Sequence, residues 1–211
     1  MSKVLAILGA GHLGQQIANF AVKDNHYSKV VFFDDFSNEE SSNGYAILGT
    51  SKAIVNAFEN KKFDELLIGI GYKHIEKRRF FYDYFKTKIP FGQIIHSSCW
   101  VDSSAKIAVG SVIYPSCCID ANALIEQNTI VNLSCTISHD TKVGKHCFLA
   151  PSVALAGFVT IEDACVLGIN TTVIDSIRIT KHTQTGASTV VIKDIKEAGI
   201  YVGNPQRLIR K

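Results

Sequence analysis

From Ile113 the chain reads Ile113-Tyr114-Pro115-Ser116-Cys117-Cys118-Ile119-Asp120-Ala121-Asn122-Ala123-Leu124-Ile125-Glu126-Gln127-Asn128-Thr129-Ile130-Val131. An aliphatic residue stands at every sixth place: Ile113, Ile119, Ile125, Val131. Followed outwards, the column starts at Ile95, Val101 and Ile107. It continues through Ile137, Val143, Leu149, Leu155, Ile161, Leu167, Val173, Ile179 and Thr185 to Val191. Sixteen of the seventeen residues are Ile, Leu or Val, and no insertion breaks the register. Chance does not give such a run, so a six-residue unit is repeating.

A second column lies four residues after the first: Cys99, Ala105, Ser111, Cys117, Ala123, Thr129, Cys135, Thr141, Cys147, Val153, Val159, Cys165, Thr171. Nothing in it is larger than Val. One large aliphatic and one small residue per hexapeptide builds a parallel β-helix, whose short strands stack about 4.8 Å apart over the buried aliphatic column. Five of the six cysteines fall in the small column, and none forms a C-x-x-C pair. They therefore read as core fillers and not as disulfides, metal ligands or redox centres.

Before Ile95 the period is different. Lys3 to Leu8, Lys29 to Phe33, Glu65 to Ile70 and Gln93 to Ile95 read as strands, and Leu13 to Lys23, Ser51 to Glu59 and Ile75 to Lys86 as helices. That alternation implies a parallel sheet with helices packed on it. The expected architecture is an α/β, Rossmann-like domain over residues 1–93, then a β-helix with a C-terminal cap over residues 94–211.

A hydrophobic fraction of 46% against 19% charged describes a folded chain. The longest apolar runs fall far short of the roughly 20 residues of a membrane span, and Met1-Ser2-Lys3 leads directly into a strand, so no membrane association and a cytoplasmic location are expected. The net charge of +3 is small and dispersed. Its densest cluster, Lys77-Arg78-Arg79, reads as a solvated helix face, which argues against nucleic acid.

Gly9-Ala10-Gly11-His12-Leu13-Gly14 satisfies G-x-G-x-x-G between a strand and a helix, with Asp34 and Asp35 about twenty residues on. Alone it points to NAD. Some ninety residues are, however, too few for both mononucleotide halves of a Rossmann domain. Within the repeats His139 lies outside both columns and is followed by Asp140, a carboxylate able to orient an imidazole. Eighteen residues on, Gly157 lies one coil above it if three hexapeptides make a coil.

Gly9-Ala-Gly-His12, Phe33-Asp-Asp35, Ile68-Gly-Ile-Gly71, Ser138-His-Asp140 and Gly203-Asn-Pro205, in this order with the hexapeptide array, resemble the hexapeptide-repeat sugar O/N-acetyltransferases. These include the UDP-4-amino-sugar N-acetyltransferase of the bacillosamine pathway and the sialic acid O-acetyltransferases. The resemblance runs nearly end to end and implies a left-handed β-helix, a homotrimer, and acetyl-CoA as co-substrate without a metal. It implies an acyltransferase acting on a nucleotide-linked 4-amino-4,6-dideoxy sugar, UDP-linked by preference; an O-acetyltransferase of the sialic acid type is the alternative. By resemblance His139 is the base and Asp140 its partner, where the bacillosamine enzyme carries Glu. His146 lies near acetyl-CoA and Gly157 binds the acetyl carbonyl. Gly11 and His12 hold the diphosphate, and Asp34 and Asp35 the uridine or ribose.

Two other readings are set aside. A β-helical, zinc-dependent carbonic anhydrase needs three converging histidines and would leave the first domain without a purpose. A structural or ice-binding wall would show a regular outer Thr array, which the sequence lacks.

Overall fold

The computed structural model describes residues 3–210; Met1, Ser2 and Lys211, the outermost residues of the two expected domains, lie outside them. Two compact units meet in sequence between Ile94 and Ile95.

The first unit is a three-stranded parallel sheet, Rossmann-like, with Val4–Leu8 in the centre, Lys29–Phe33 on one side and Glu65–Ile68 on the other. Ile7 stands opposite Phe32 and Leu67. The centre of this sheet, Leu5, Ala6 and Ile7, is fully buried. That is the continuous apolar run expected of a covered parallel strand. Helix His12–Lys23 buries Gly14, Ile17, Ala18 and Ala21, a stripe at helical spacing.

Helix Ile75–Phe85 corrects the reading of the basic trio. Arg78, Tyr82 and Phe85 form its inward stripe, so Arg78 is fully buried, where its Nη1 donates to the Ile68 carbonyl at 2.8 Å. Lys77, which is exposed, and Arg79, partly exposed and ion-paired with Glu76, do fit a solvated face. A small ribbon, Ser41–Ser42 with Tyr45–Ala46, also appears where no strand was expected. Its turn is Asn43-Gly44, both at positive φ (49° and 82°), the signature of a tight hairpin.

The second unit is a left-handed parallel β-helix. Two-residue strands from Trp100–Val101 to Val190–Val191 form three sheets. Partners are separated by eighteen residues: Cys118 faces Thr136, and Ile119 faces Ile137. From Ile113 to Val191 the aliphatic column is at most 1% exposed. Its one polar member, Thr185, is satisfied by Thr171 of the small column, Oγ1 to Oγ1 at 2.7 Å.

The small column does more than save space. Ser111, Thr129 and Thr141 each donate to the carbonyl fifteen residues ahead, at 2.8–3.0 Å, and Cys117, Cys135, Cys147 and Cys165 do the same at 3.0–3.2 Å. A small side chain with a donor thus satisfies a buried carbonyl in the next coil. The Cys135 thiol beside it pushes Cys117 up to about 12, and burial raises Cys147, so both remain protonated and unreactive.

The corners repeat as well. The third residue after each aliphatic position has positive φ, from Ser116, Asn122 and Asn128 through to His182 and Ser188. For residues other than Gly, Asn and Asp the left-handed region costs roughly 1–2 kcal/mol. Asn, Asp and Ser dominate these corners, with Phe158 (φ 59°) the bulkiest departure. Among the described residues no helix is long and apolar enough to cross a membrane.

Candidate active site

The His139 corner is assembled by the eighteen-residue stacking. Asp140 occupies the left-handed corner position at φ 56°, which turns its carboxylate back towards its own neighbour. Its Oδ2 lies 3.0 Å from His139 Nδ1. A carboxylate only accepts, so Nδ1 carries the proton and Nε2 is left with the lone pair. Asp is therefore long enough to reach the ring. One coil below, Asn122 Nδ2 donates to the other carboxylate oxygen at 3.1 Å. Asn122 is anchored in turn, its N–H donating to Ser104 Oγ, which donates to Asp102.

One coil above, a Cβ on Gly157 would lie 2.7 Å from His139 Cε1 and 2.8 Å from Nε2. The glycine is thus required by the imidazole itself, which lies against the bare Cα. The Phe158 ring closes another side, its centroid 5.1 Å from that of His139 with the planes at 87°. His139 remains half exposed, so its ring is within reach of solvent and substrate.

His146 belongs to the next corner of the helix and differs in kind. It is buried, and its Nδ1 accepts from Asn128 Nδ2 at 2.9 Å, directly below it. Stacking does not bring it to His139.

In the first unit a cleft of about 390 Å³ is lined by Gly9, Asp34, Asp35, Phe36, Gly71, His74 and Lys77 among others. Gly11 and His12 do not line it; both are exposed at the start of helix His12–Lys23. The glycines divide the work. A Cβ on Gly14 would lie 1.9 Å from the Gly9 carbonyl oxygen, whereas one on Gly11 would meet nothing within 4 Å. Gly14 serves packing, and Gly11 leaves the backbone open to an approaching group.

The two acids are engaged by the fold. Asp34 Oδ2 accepts from the Ala10 N–H at 2.7 Å, and its Oδ1 from the N–H groups of Phe36 and Ser37. Asp35 accepts from Ser51 N–H and Oγ–H. Asp34 therefore ties the glycine turn to the loop that follows strand Lys29–Phe33.

The sequence reading missed four residues. Lys77 and His74 bring basic groups to the cleft, Lys77 having been absorbed into the supposed solvated face. Asn122 and Phe158 lie eighteen residues either side of Asp140, so the arithmetic that found Gly157 would have found both. Among the described residues no group of three His, Cys, Asp or Glu could hold a metal.

Residues 4–83 match the PglD N-terminal domain family. Over both units the chain is similar to the acetyltransferase domain of PglB from Neisseria gonorrhoeae FA1090 in complex with acetyl coenzyme A, with a TM-score of 0.91 at 25% identity, covering 99% of this chain and 100% of that one. A variant of GDP-perosamine N-acetyl transferase from Caulobacter crescentus, in complex with CoA and GDP-perosamine, shares the fold at TM-score 0.89 and 21% identity, over 98% and 97% of the two chains. WeeI from Acinetobacter baumannii AYE shares it at TM-score 0.84 and 20% identity, over 98% and 99%. No curated protein matches by sequence. The resemblance to hexapeptide-repeat sugar acetyltransferases is borne out, and with it the acyltransferase class.

Proposed function

We propose that the chain transfers the acetyl group of acetyl-CoA to the amine of a nucleotide-linked 4-amino-4,6-dideoxy sugar, UDP-linked by preference. The observation that carries the chemistry is the His139–Asp140 pair, with Nδ1 held by the carboxylate and the ring half exposed. Support for the donor and the acceptor class comes from the relatives crystallised with acetyl coenzyme A and with CoA and GDP-perosamine. The preference for UDP rests on the motif resemblance.

As the amine nitrogen forms its bond to the thioester carbonyl carbon, Nε2 takes its proton. Asp140 stabilises the resulting imidazolium. Collapse of the tetrahedral intermediate breaks the C–S bond, and the leaving thiolate receives that proton, giving the amide and free CoA. Gly157 and His146 serve the acetyl-CoA side, Gly157 by fixing the imidazole and by offering open backbone. Gly11 and His12, at the positive end of a helix, serve the diphosphate. Asp34 and Asp35 shape the nucleoside cleft. The working assembly is a cytoplasmic homotrimer, in which neighbouring β-helices deepen an otherwise shallow donor groove.

The test is turnover of a panel of UDP-, dTDP- and GDP-linked amino sugars with acetyl-CoA, read by mass spectrometry, for the wild type and His139→Ala. An N-acetylated product, with kcat about 10²- to 10⁴-fold lower in the variant, is expected. An O-acetylated product, or a variant with near-normal kcat, overturns the reading.

A further inference from the structure

Phe158 is at odds with its place in the fold. It holds a corner position at φ 59°, where its neighbours in the series are Ser152 and Ala164, and it leaves 58% of its surface exposed. Left-handed backbone disfavours a bulky residue, and exposure wastes an aromatic ring, so the β-helix gains nothing from Phe here. What the ring touches is His139, edge to face at 5.1 Å, and its N–H donates to the His139 carbonyl at 3.1 Å. Strain of this kind is retained where the surroundings need that conformation.

We propose that Phe158 is a positioning residue for His139. An imidazole on an open corner has two ring orientations and a broad torsion between them. Asp140 selects the orientation at one nitrogen and the bare Gly157 Cα supports one side. Phe158 supplies the remaining wall, so the ring cannot tilt away and Nε2 stays on the path of the acceptor amine. The ring also withholds solvent from one side of that nitrogen, which keeps the base from being diverted to bulk water.

The inference rests on His139 being the base, and His139→Ala is run beside the Phe158 variants to separate the two. Phe158→Asn suits the left-handed corner but lacks the ring; Phe158→Leu keeps bulk and strain but lacks the aromatic edge; Phe158→Tyr keeps everything. We expect the Asn variant to melt no lower than wild type and to keep its oligomeric state. Its kcat should fall about 10-fold, short of the ~10²-fold that a full 1 Å misplacement can cost. KM for both substrates should change less than about twofold, as for an interaction felt only in the transition state. The Leu variant should lose kcat similarly, and Tyr should restore it. The His139 Cε1–H resonance should move on loss of the ring in Asn and Leu, and return in Tyr.

Unchanged kcat in Asn and Leu, with His139→Ala inactive, overturns the inference alone. A raised KM with normal kcat makes Phe158 a substrate wall instead, and a dissociated oligomer makes it an interface anchor; each overturns the proposal. A His139→Ala enzyme that still turns over overturns the catalytic reading beneath it.

Discussion

The His139 corner and the Gly9 to Gly14 turn both bring backbone and side chains closer than a Cβ would allow, but they draw their partners from very different places. At the corner, Asn122, Asp140 and Phe158 are separated by eighteen residues each, one coil apart, and the Gly157 contact with His139 has the same separation. In the turn, Ala10 is tied to Asp34, and Gly9 and Gly14 pack against Gly69, across separations that follow no rule. The corner is made by a repeat that must stay in register along its whole length. The turn is made by a few specific contacts that tolerate changes between them.

The widest gap between the two regions should appear on deletion. Removing Gln127 leaves a five-residue repeat that cannot span its side of the coil, and it moves every later aliphatic residue off the inner face. The second unit should lose more than the 5–15 kcal/mol by which domains are stable, read as loss of its cooperative transition by circular dichroism. Removing Glu39, exposed in the loop before the small ribbon, should lower Tm by only a few degrees. If the Gln127 deletion melts like wild type, the coils are elastic and the comparison breaks.

Within the turn, two glycines sharpen it. Gly14→Ala puts a methyl 1.9 Å from a carbonyl oxygen that cannot move far, and should destabilise the first unit by about 1–3 kcal/mol or more. Gly11→Ala meets nothing and has an ordinary φ of −71°, so its Tm should be nearly unchanged. Calorimetry with the acceptor nucleotide sugar should instead show Kd weakened about 10-fold, or 1.4 kcal/mol, for Gly11→Ala. A Gly11 variant with unaltered affinity would remove that glycine from the site.

This contrast also explains what the sequence revealed. The aliphatic column, the small column and the cysteines were legible because each residue's environment in a β-helix follows from its number modulo six. Handedness was not, since the same pattern serves either hand and only the resemblance supplied it. In the first unit three strands and the helices were legible from their periods, but the strand expected at Gln93 to Ile95 is Ile94–Ile95, which joins a sheet of the β-helix instead. The partners of Asp34 and Asp35 were not, because a backbone N–H leaves no mark in sequence. Arg78 was misjudged because charge was read without the helical period, which puts Arg78 inside while Lys77 stays exposed beside the cleft. The ribbon around Asn43-Gly44 went unread because two-residue strands are too short to alternate, although the Asn-Gly pair was visible.

The smallest expected effect tests the contact furthest from the chemistry. The Asn122 amide reaches the imidazole through the Asp140 carboxylate, so its influence on Nε2 passes through two hydrogen bonds. Asn122→Gly suits the φ of 58° and removes the amide without strain. The lost hydrogen bond is exposed and worth on the order of 1 kcal/mol at most, so kcat should fall about 2- to 5-fold with Tm nearly constant. Asn122→Asp also tolerates the corner but sets a second carboxylate against Asp140, and the two repel. Asp140 would then swing away from Nδ1, and kcat should fall further than in the glycine variant. Because that repulsion lies near the surface, raising the ionic strength should recover part of the loss in Asn122→Asp and none of it in Asn122→Gly. Steady-state kinetics at two salt concentrations distinguishes them. If both variants match wild type at both salts, Asp140 is held by its corner backbone alone, and the eighteen-residue ladder stops at the catalytic pair.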